Sequence, residues 1–337
     1  MKNSKLWYVI LLVILFTSIV YYASRGFIEI PFKTTIDMII SEMFGESLKS
    51  ENMKFWYVIF EVRIPRVLTS VAAGASLGLA GLIFQAVLLN PLADPYILGV
   101  SSGASFGASL ALIFNLQLFG MATTSIFSFI FAVLSLILTL SISYMNKSIT
   151  KTSLILSGII VSSFFSAGLS FMKYLASEEV GIIVFWLMGS FSAKSWNDFL
   201  LIISVFIPVF IIVYFFTDKM NILSLGDRNA KNLGINTNLT RVFLLMLASL
   251  LSAIVVSRSG IIGFVGLIIP HLCRFIWGSD NKKLIFYSSI LGAILLSFAD
   301  NFIRIFLPVE IPIGILTSLT GAPFFILVMR KKFRRIK

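Results

Sequence analysis

The chain has 337 residues, 58% hydrophobic and 12% charged, with a formal net charge of +12 and a mean hydropathy of +0.98. A soluble domain carries about 25% charged residues, so this composition excludes a water-soluble globular protein, and the basic excess belongs to membrane topology rather than to nucleic acid. One Cys and one His exclude a disulfide framework, a Cys/His zinc site and an iron–sulfur cluster built from this chain alone.

A membrane-spanning helix needs roughly 20 mostly apolar residues. Ten stretches qualify: 6–23, 64–89, 96–116, 122–144, 154–172, 181–216, 242–258, 261–277, 284–303 and 313–329. The first follows Lys2 and Lys5 as a signal peptide would, but no convincing small-x-small cleavage site precedes Arg25, so it reads as a span. The second opens on Arg63-Ile64-Pro65-Arg66. Pro65 suits the first turn of a helix, where its missing N–H costs nothing, and the two Arg then project toward the outer surface. Interfacial snorkelling is the plain reading of such Arg. Arg304, at the outer end of the ninth span, makes a group of three that could receive carboxylates from a protein partner. Asp300, four residues earlier, is placed to pair with Arg304 within the helix.

Gly74, Gly78 and Gly81 in the second span, and Gly99, Gly103 and Gly107 in the third, recur at helical spacing and predict close backbone contacts in one packed bundle. Between these spans, Asn90-Pro91-Leu92-Ala93-Asp94-Pro95 ends one helix and begins the next, either as a plain connector or as a rigid turn at an inner gate. The stretch 181–216 begins with an extracytoplasmic segment before a span near 199–216. The loop at about 217–241 carries Leu225-Gly226-Asp227-Arg228-Asn229-Ala230-Lys231-Asn232-Leu233-Gly234-Ile235. Leu225, Arg228/Asn229 and Asn232/Leu233 would share one face of a two-turn helix lying flat at the membrane surface, able to dock on a cytoplasmic protein. The spans 242–258 and 261–277 are separated only by Ser259-Gly260. His271, with no second ligand at metal spacing, reads as structural.

Placing both termini in the cytoplasm puts most of the 27 Lys and Arg inside, among them Lys2, Lys5, Lys147, Lys151, Lys219, Arg228, Lys231, Arg241, Lys282, Lys283 and the basic tail from Arg330. The first outer loop is diluted by Glu29, Asp37, Glu42, Glu46, Glu51 and Glu61. This is the positive-inside pattern, and an even number of spans agrees with it.

Arg63-Ile64-Pro65-Arg66, Gly74 to Gly81 leading to Gln85, Asn90-Pro91-Leu92-Ala93, Leu98-Gly99-Val100-Ser101-Ser102-Gly103-Ala104, Gly263 to His271, Ala299-Asp300 with Arg304, and Glu310-Ile311-Pro312-Ile313-Gly314 leading to Gly321-Ala322-Pro323 occur in one order. Together they resemble the FecCD-type permeases, the ten-helix subunits of ATP-driven importers for ferric siderophores, haem, cobalamin and, in some members, molybdate or tungstate. The resemblance implies an all-α, type II ABC importer permease fold in one domain over 1–337, in a bacterial cytoplasmic membrane. It implies a homodimer, two cytoplasmic ATP-binding subunits, an extracytoplasmic substrate-binding protein, and neither a cofactor nor nucleic acid. By the same resemblance Arg63, Arg66 and Arg304 would dock the binding protein. Asn90, Pro91 and Leu92 with Thr150 and Thr152 would form the cytoplasmic gate, although Lys151 puts a charge where the family often has small polar residues. Leu225, Gly226, Asp227, Ala230, Leu233 and Gly234 would couple to the ATPase.

The chain has no Gly-x-x-x-x-Gly-Lys-Ser/Thr phosphate loop, so it is not expected to hydrolyse ATP itself. The alternatives are an ion-coupled secondary transporter, which needs carboxylates within its spans, and an intramembrane enzyme, which needs a catalytic constellation around His271; the sequence offers almost nothing of either.

Overall fold

The computed structural model describes residues 4–26, 28–45, 53–144, 149–307 and 309–334; Lys2, Glu46, Glu51 and Lys147 lie outside them. In chain order the helices are α1 (Ser4–Ser24), α2 (Phe32–Phe44), α3 (Met53–Tyr57), α4 (Ile64–Leu88), α5 (Val100–Ile113), α6 (Thr123–Ser143), α7 (Lys151–Ala176), α8 (Val180–Leu187), α9 (Trp196–Leu223), α10 (Asp227–Asn232), α11 (Thr237–Ser259), α12 (Val265–Trp277), α13 (Asn281–Phe306) and α14 (Ile313–Arg334). No strand occurs among the described residues. The ten expected spans are α1, α4, α5, α6, α7, α9 and α11 to α14. Among the described residues, seven helical stretches are long and apolar enough to cross a membrane, and three shorter apolar ones are α5, α12 and Ile313–Pro323 of α14. The chain is a polytopic all-α membrane protein.

Helix α4 is the spine. Its span is 89% buried, against 17% for those of α1 and α9, whose outward faces carry large apolar side chains such as Phe16, Ile211 and Phe215. The glycines explain how α4 is surrounded. A Cβ at Gly74 or Gly78 would strike the carbonyl oxygens of Gly292 or Ser288 on α13, and one at Gly81 that of Gly266 on α12. Gly103 and Gly107 seat α5 on α6 in the same way, against the carbonyls of Phe131 and Phe127. Without a hydrophobic force between helices in lipid, such backbone proximity is what holds a bundle together.

Helices α5 and α12 have 14 and 13 residues, about 20 Å at 1.5 Å per residue, short of a hydrocarbon core of about 30 Å. Each is preceded by chain outside any α-helix, 89–99 before α5, with a single 3-10 turn at Pro95–Leu98, and 260–264 before α12. The two meet where Tyr96 Oη donates to Ile262 O at 3.0 Å. Irregular backbone is sustained within a membrane bundle only when it is buried in protein in this manner.

Three details differ from the sequence expectations. The loop after the first span contains α2, capped at its end by Gly45 at φ 67°; its apolar positions are too few to register as a span. Pro65 does not start a helix, because α3 runs through a π-helical segment, Val58–Arg63, into α4, and Ile64 N donates to Ile59 O. The wider π register absorbs the proline's missing donor and bulk, which an unbroken α-helix could not. The segment at 181–198 is the short helix α8 followed by a loop at 188–195, after which α9 begins earlier and ends later than expected.

Candidate functional site

The expected site residues fall at opposite ends of the bundle. At one end lie Arg63, Arg66 and Arg304, all less than 9% exposed. Arg63 donates to the backbone oxygens of Ala23, Ser24 and Ile28, and so fastens the exit of α1 to the π segment. Arg66 makes a bidentate pair with Asp300 of α13, Nε to Oδ2 and Nη2 to Oδ1 at 2.9 Å each, and its third nitrogen, Nη1, reaches Glu310 Oε1 at 2.8 Å. Arg304 donates to Asn301 Oδ1 at 2.6 Å and to Tyr22 O. The structure thus gathers the three Arg but turns them into the chain rather than outward. Asp300 bonds Arg66 across two helices and not Arg304, as helical spacing alone had suggested; the fork-to-fork geometry with Arg66 satisfies both carboxylate oxygens.

The most exposed member of this group is Glu310, in the loop between α13 and α14. It accepts from Arg66 and from the Ser192 hydroxyl in the α8–α9 loop. Burial alone would push its carboxyl up, but the Ser192 and Arg66 bonds override it and hold the group below the ordinary carboxylate range. The same loops are tied by backbone bonds, Ile313 N to Gly189 O and Gly314 N to Met188 O. Ser192 and Glu310 are 118 residues apart, and no spacing rule in the sequence links them.

At the opposite end lie the expected gate and coupling residues. Asn90 Oδ1 accepts from Leu92 N, and Asp94 caps the short 3-10 turn Pro95–Leu98 by accepting from Tyr96 N. Pro91 stands between these caps in a two-residue turn. Thr150 caps α7 in a reciprocal box with Ser153, whose hydroxyl also meets that of Ser143 on α6 at 2.8 Å. Thr152, one residue into α7, is exposed. Gln85 belongs to a neighbouring knot, donating to Leu267 O and accepting from Arg274.

Helix α10 is flanked by Gly226 at φ 95° and Gly234 at φ 79°, backbone conformations that L side chains rarely adopt. It lies between α9 and α11 with Leu225, Arg228, Asn229, Asn232 and Leu233 exposed along one side. Leu225 and Leu233 are 59% and 61% exposed, an apolar pair left uncovered among the described residues. Ala230, grouped with them from the sequence, is fully buried and faces its own bundle. Asp227 likewise turns inward, bonding Arg241 Nη2 at 2.7 Å and approaching Lys151 Nζ at 3.8 Å. The charge that set Lys151 apart from the usual family pattern therefore has a partner.

An all-α membrane bundle with short discontinuous helices at its centre, a polar loop pair at one end and an exposed amphipathic turn beside it is the architecture of a transport permease. The chain belongs to the FecCD transport family, whose model matches residues 10–331. The family's members are membrane permease subunits of ABC transporters, in which separate subunits hydrolyse ATP. The chain is 40% identical over 278 residues to the molybdate import system permease protein MolB of Haemophilus influenzae, covering 82% of each. It is 38% identical over 276 residues to a protein named as a probable iron chelatin transport system permease in Helicobacter pylori strain J99, covering 80% of this chain and 81% of that one. Its fold is similar to a solved inward-facing transporter assigned to the metal-chelate type, with TM-score 0.83, 35% identity, and coverage of 96% and 98%.

Proposed function

We propose that this chain is the membrane permease of an ATP-driven importer for iron chelates, with ferric siderophores the first expectation and haem, cobalamin or the oxyanions molybdate and tungstate the alternatives. The observation that carries the reading is the exposed apolar pair Leu225 and Leu233 flanking α10, the helix whose Asp227 meets the 149–152 loop through Lys151 and Arg241. An apolar pair on a positive-φ-hinged helix is a docking element, and a bundle with no phosphate loop needs energy from outside itself. In this reading two ATP-binding subunits press on α10 from the cytoplasm, where both chain termini lie. The loops at Asn90–Leu92 and Thr150–Thr152 close the path, and substrate arrives from a binding protein at the Arg66 end.

A second permease copy completes the pathway. Helix α7 leaves Thr152, Ser163, Ser166 and Ser170 exposed on the same side as Leu156 and Ile159, a mixed polar and apolar face suited to packing against a second copy of the chain. At the far end, Glu310 occupies the third nitrogen of Arg66. An acidic side chain of the binding protein docks here by competing with Glu310 for that nitrogen.

Reconstitution in proteoliposomes tests the reading. With the ATPase and the binding protein present, ATP-dependent uptake of a ferric siderophore is expected, with molybdate and haemin run in parallel to fix the substrate. Uptake by the chain alone, driven by an ion gradient, would make it a secondary transporter and overturn the proposal.

A further inference from the structure

Arg241 stands near the start of α11 and is 1% exposed, among the largest fully buried side chains of the protein. Its guanidinium spans two elements that are remote in sequence. Nη2 donates to Asp227 Oδ1, the first residue of α10, at 2.7 Å. Nη1 donates to Ile149 O at 3.0 Å, 92 residues away and directly before the Thr150 cap of α7. Lys151 Nζ adds a direct approach of 3.8 Å to the same carboxylate oxygen. The Ser153–Ser143 contact in turn ties this loop to α6. The loop also has room to move: a cleft of about 710 Å³ opens between α6 and α11, bordered by Tyr144, Ile149, Asn236, Leu239 and Val242.

The fork of Arg is planar and rigid, so its two N–H groups keep a fixed relation. A shift of α10 moves the partly exposed Asp227, and the guanidinium either follows, carrying Ile149 O with it, or loses its carboxylate while itself staying buried. The second course is costly, because it strands a buried cation. The first is a mechanical link from a surface helix to a gate loop. Building on the importer reading above, we propose that Arg241 is the strut by which movement of α10 reaches the 149–152 loop. It is a positioning residue for transport and touches neither substrate nor the ATPase.

The test uses the full complex with its ATPase subunits in lipid nanodiscs for labelling and in proteoliposomes for uptake. A Thr152→Cys substitution provides a thiol on the gate loop, and Cys273 is buried, so a hydrophilic maleimide reports on position 152. With Arg241 intact, the labelling rate is expected to change severalfold between the nucleotide-free and the ATP-plus-vanadate states. Arg241→Lys retains a cation but replaces the rigid two-nitrogen fork with a single nitrogen on a flexible stem, and Arg241→Gln removes both the charge and the fork. Both are expected to co-purify with the ATPase and hydrolyse ATP within about twofold of the parent, while uptake falls at least tenfold and the labelling change disappears. Uptake and labelling in Arg241→Lys equal to the parent would overturn the strut, since charge alone would then suffice. Loss of ATPase co-purification or of hydrolysis in both variants would overturn it too, showing that Arg241 only shapes the docking face. Labelling in the parent that ignores nucleotide would remove the moving loop and the strut with it. A parent complex without ATP-dependent uptake would instead sink the importer reading, so the two failures are told apart.

Discussion

The two ends of the bundle use the same residue type for different purposes. At the Arg66 end three buried Arg bind acceptors and carboxylates of their own chain, and the loops there are knotted together by Glu310, Ser192 and backbone bonds. At the α10 end one buried Arg, Arg241, joins two surface elements that also meet through the longer Lys151–Asp227 approach, beside an open cleft and an uncovered apolar face. The first arrangement resists movement and the second transmits it. A transporter needs both: a frame that a partner can dock on without collapsing it, and a lever that a partner can push.

The largest effect expected from this contrast is at Asp300. It is nearly fully buried and engages both Nε and Nη2 of Arg66. Asp300→Ala leaves the buried Arg66 cation with the partly exposed Glu310 as its remaining carboxylate. Breaking one partner of a buried pair costs about 3–5 kcal/mol when no counter-charge remains, so a loss of up to about 3 kcal/mol is expected. Thermal unfolding in detergent is expected to show the loss, with part of it recovered when Arg66→Met is combined with Asp300→Leu. A benign Asp300→Ala would mean that the Arg66 end is not held by charge at all.

How much of this could be read beforehand follows from range. The ten spans, the glycine contacts and the exposed side of α10 all rest on local periodicity, where residues three or four apart share a face. Gly74 and Gly78 do meet a neighbouring backbone, and Leu225 and Leu233 do lie exposed on one side. The polar network was not legible, because its bonds join residues 92, 118 and 234 positions apart. Arg241 reads in the sequence as one more basic residue near a membrane face, and only the fold shows that it is buried. The π segment before Pro65 was hidden for a different reason: proline is at home in a first turn, and the sequence gives no local sign that the helix had already begun.

A smaller effect is expected where two backbones touch. At Gly81 an added Cβ meets the backbone of Gly266, which no rotamer change can relieve. Gly81→Val is therefore expected to part α4 from α12 and lower stability by about 1–3 kcal/mol, the usual cost of overpacking a core. Gly181, whose Cβ would meet nothing within 4 Å, is the control, and Gly181→Ala is expected to leave the melting temperature in place. The pair checks that the glycines differ by contact and not by residue type.

Leu225 and Leu233 sharpen the comparison from the other side. Each is more than half exposed, so Leu225→Ser with Leu233→Ser is expected to change unfolding by no more than about 0.5 kcal/mol. ATP-driven uptake should nevertheless fall at least tenfold, which is about 1.4 kcal/mol of coupling. Normal uptake in the double variant would place the docking surface elsewhere.

The smallest effect is expected at Glu310, and its sign is fixed by the direction of its titration. Bonds from Ser192 and Arg66 hold the folded carboxyl below the ordinary range despite partial burial. A depressed folded pKa gives stability that is fully present above the unfolded carboxylate value of about 4.3 and is lost as pH falls through the folded value. The side chain is 38% exposed, so water screens the pair and the contribution stays at or below about 1 kcal/mol. Melting temperatures of the parent and Glu310→Gln, compared from pH 7 to pH 3, should differ by a constant small margin above the ordinary carboxylate value of about 4.3 and draw together as pH falls below it. A margin that widens in acid would mean that Glu310 is better protonated in the fold, and that the knot at the Arg66 end is tied by hydrogen bonds rather than by charge.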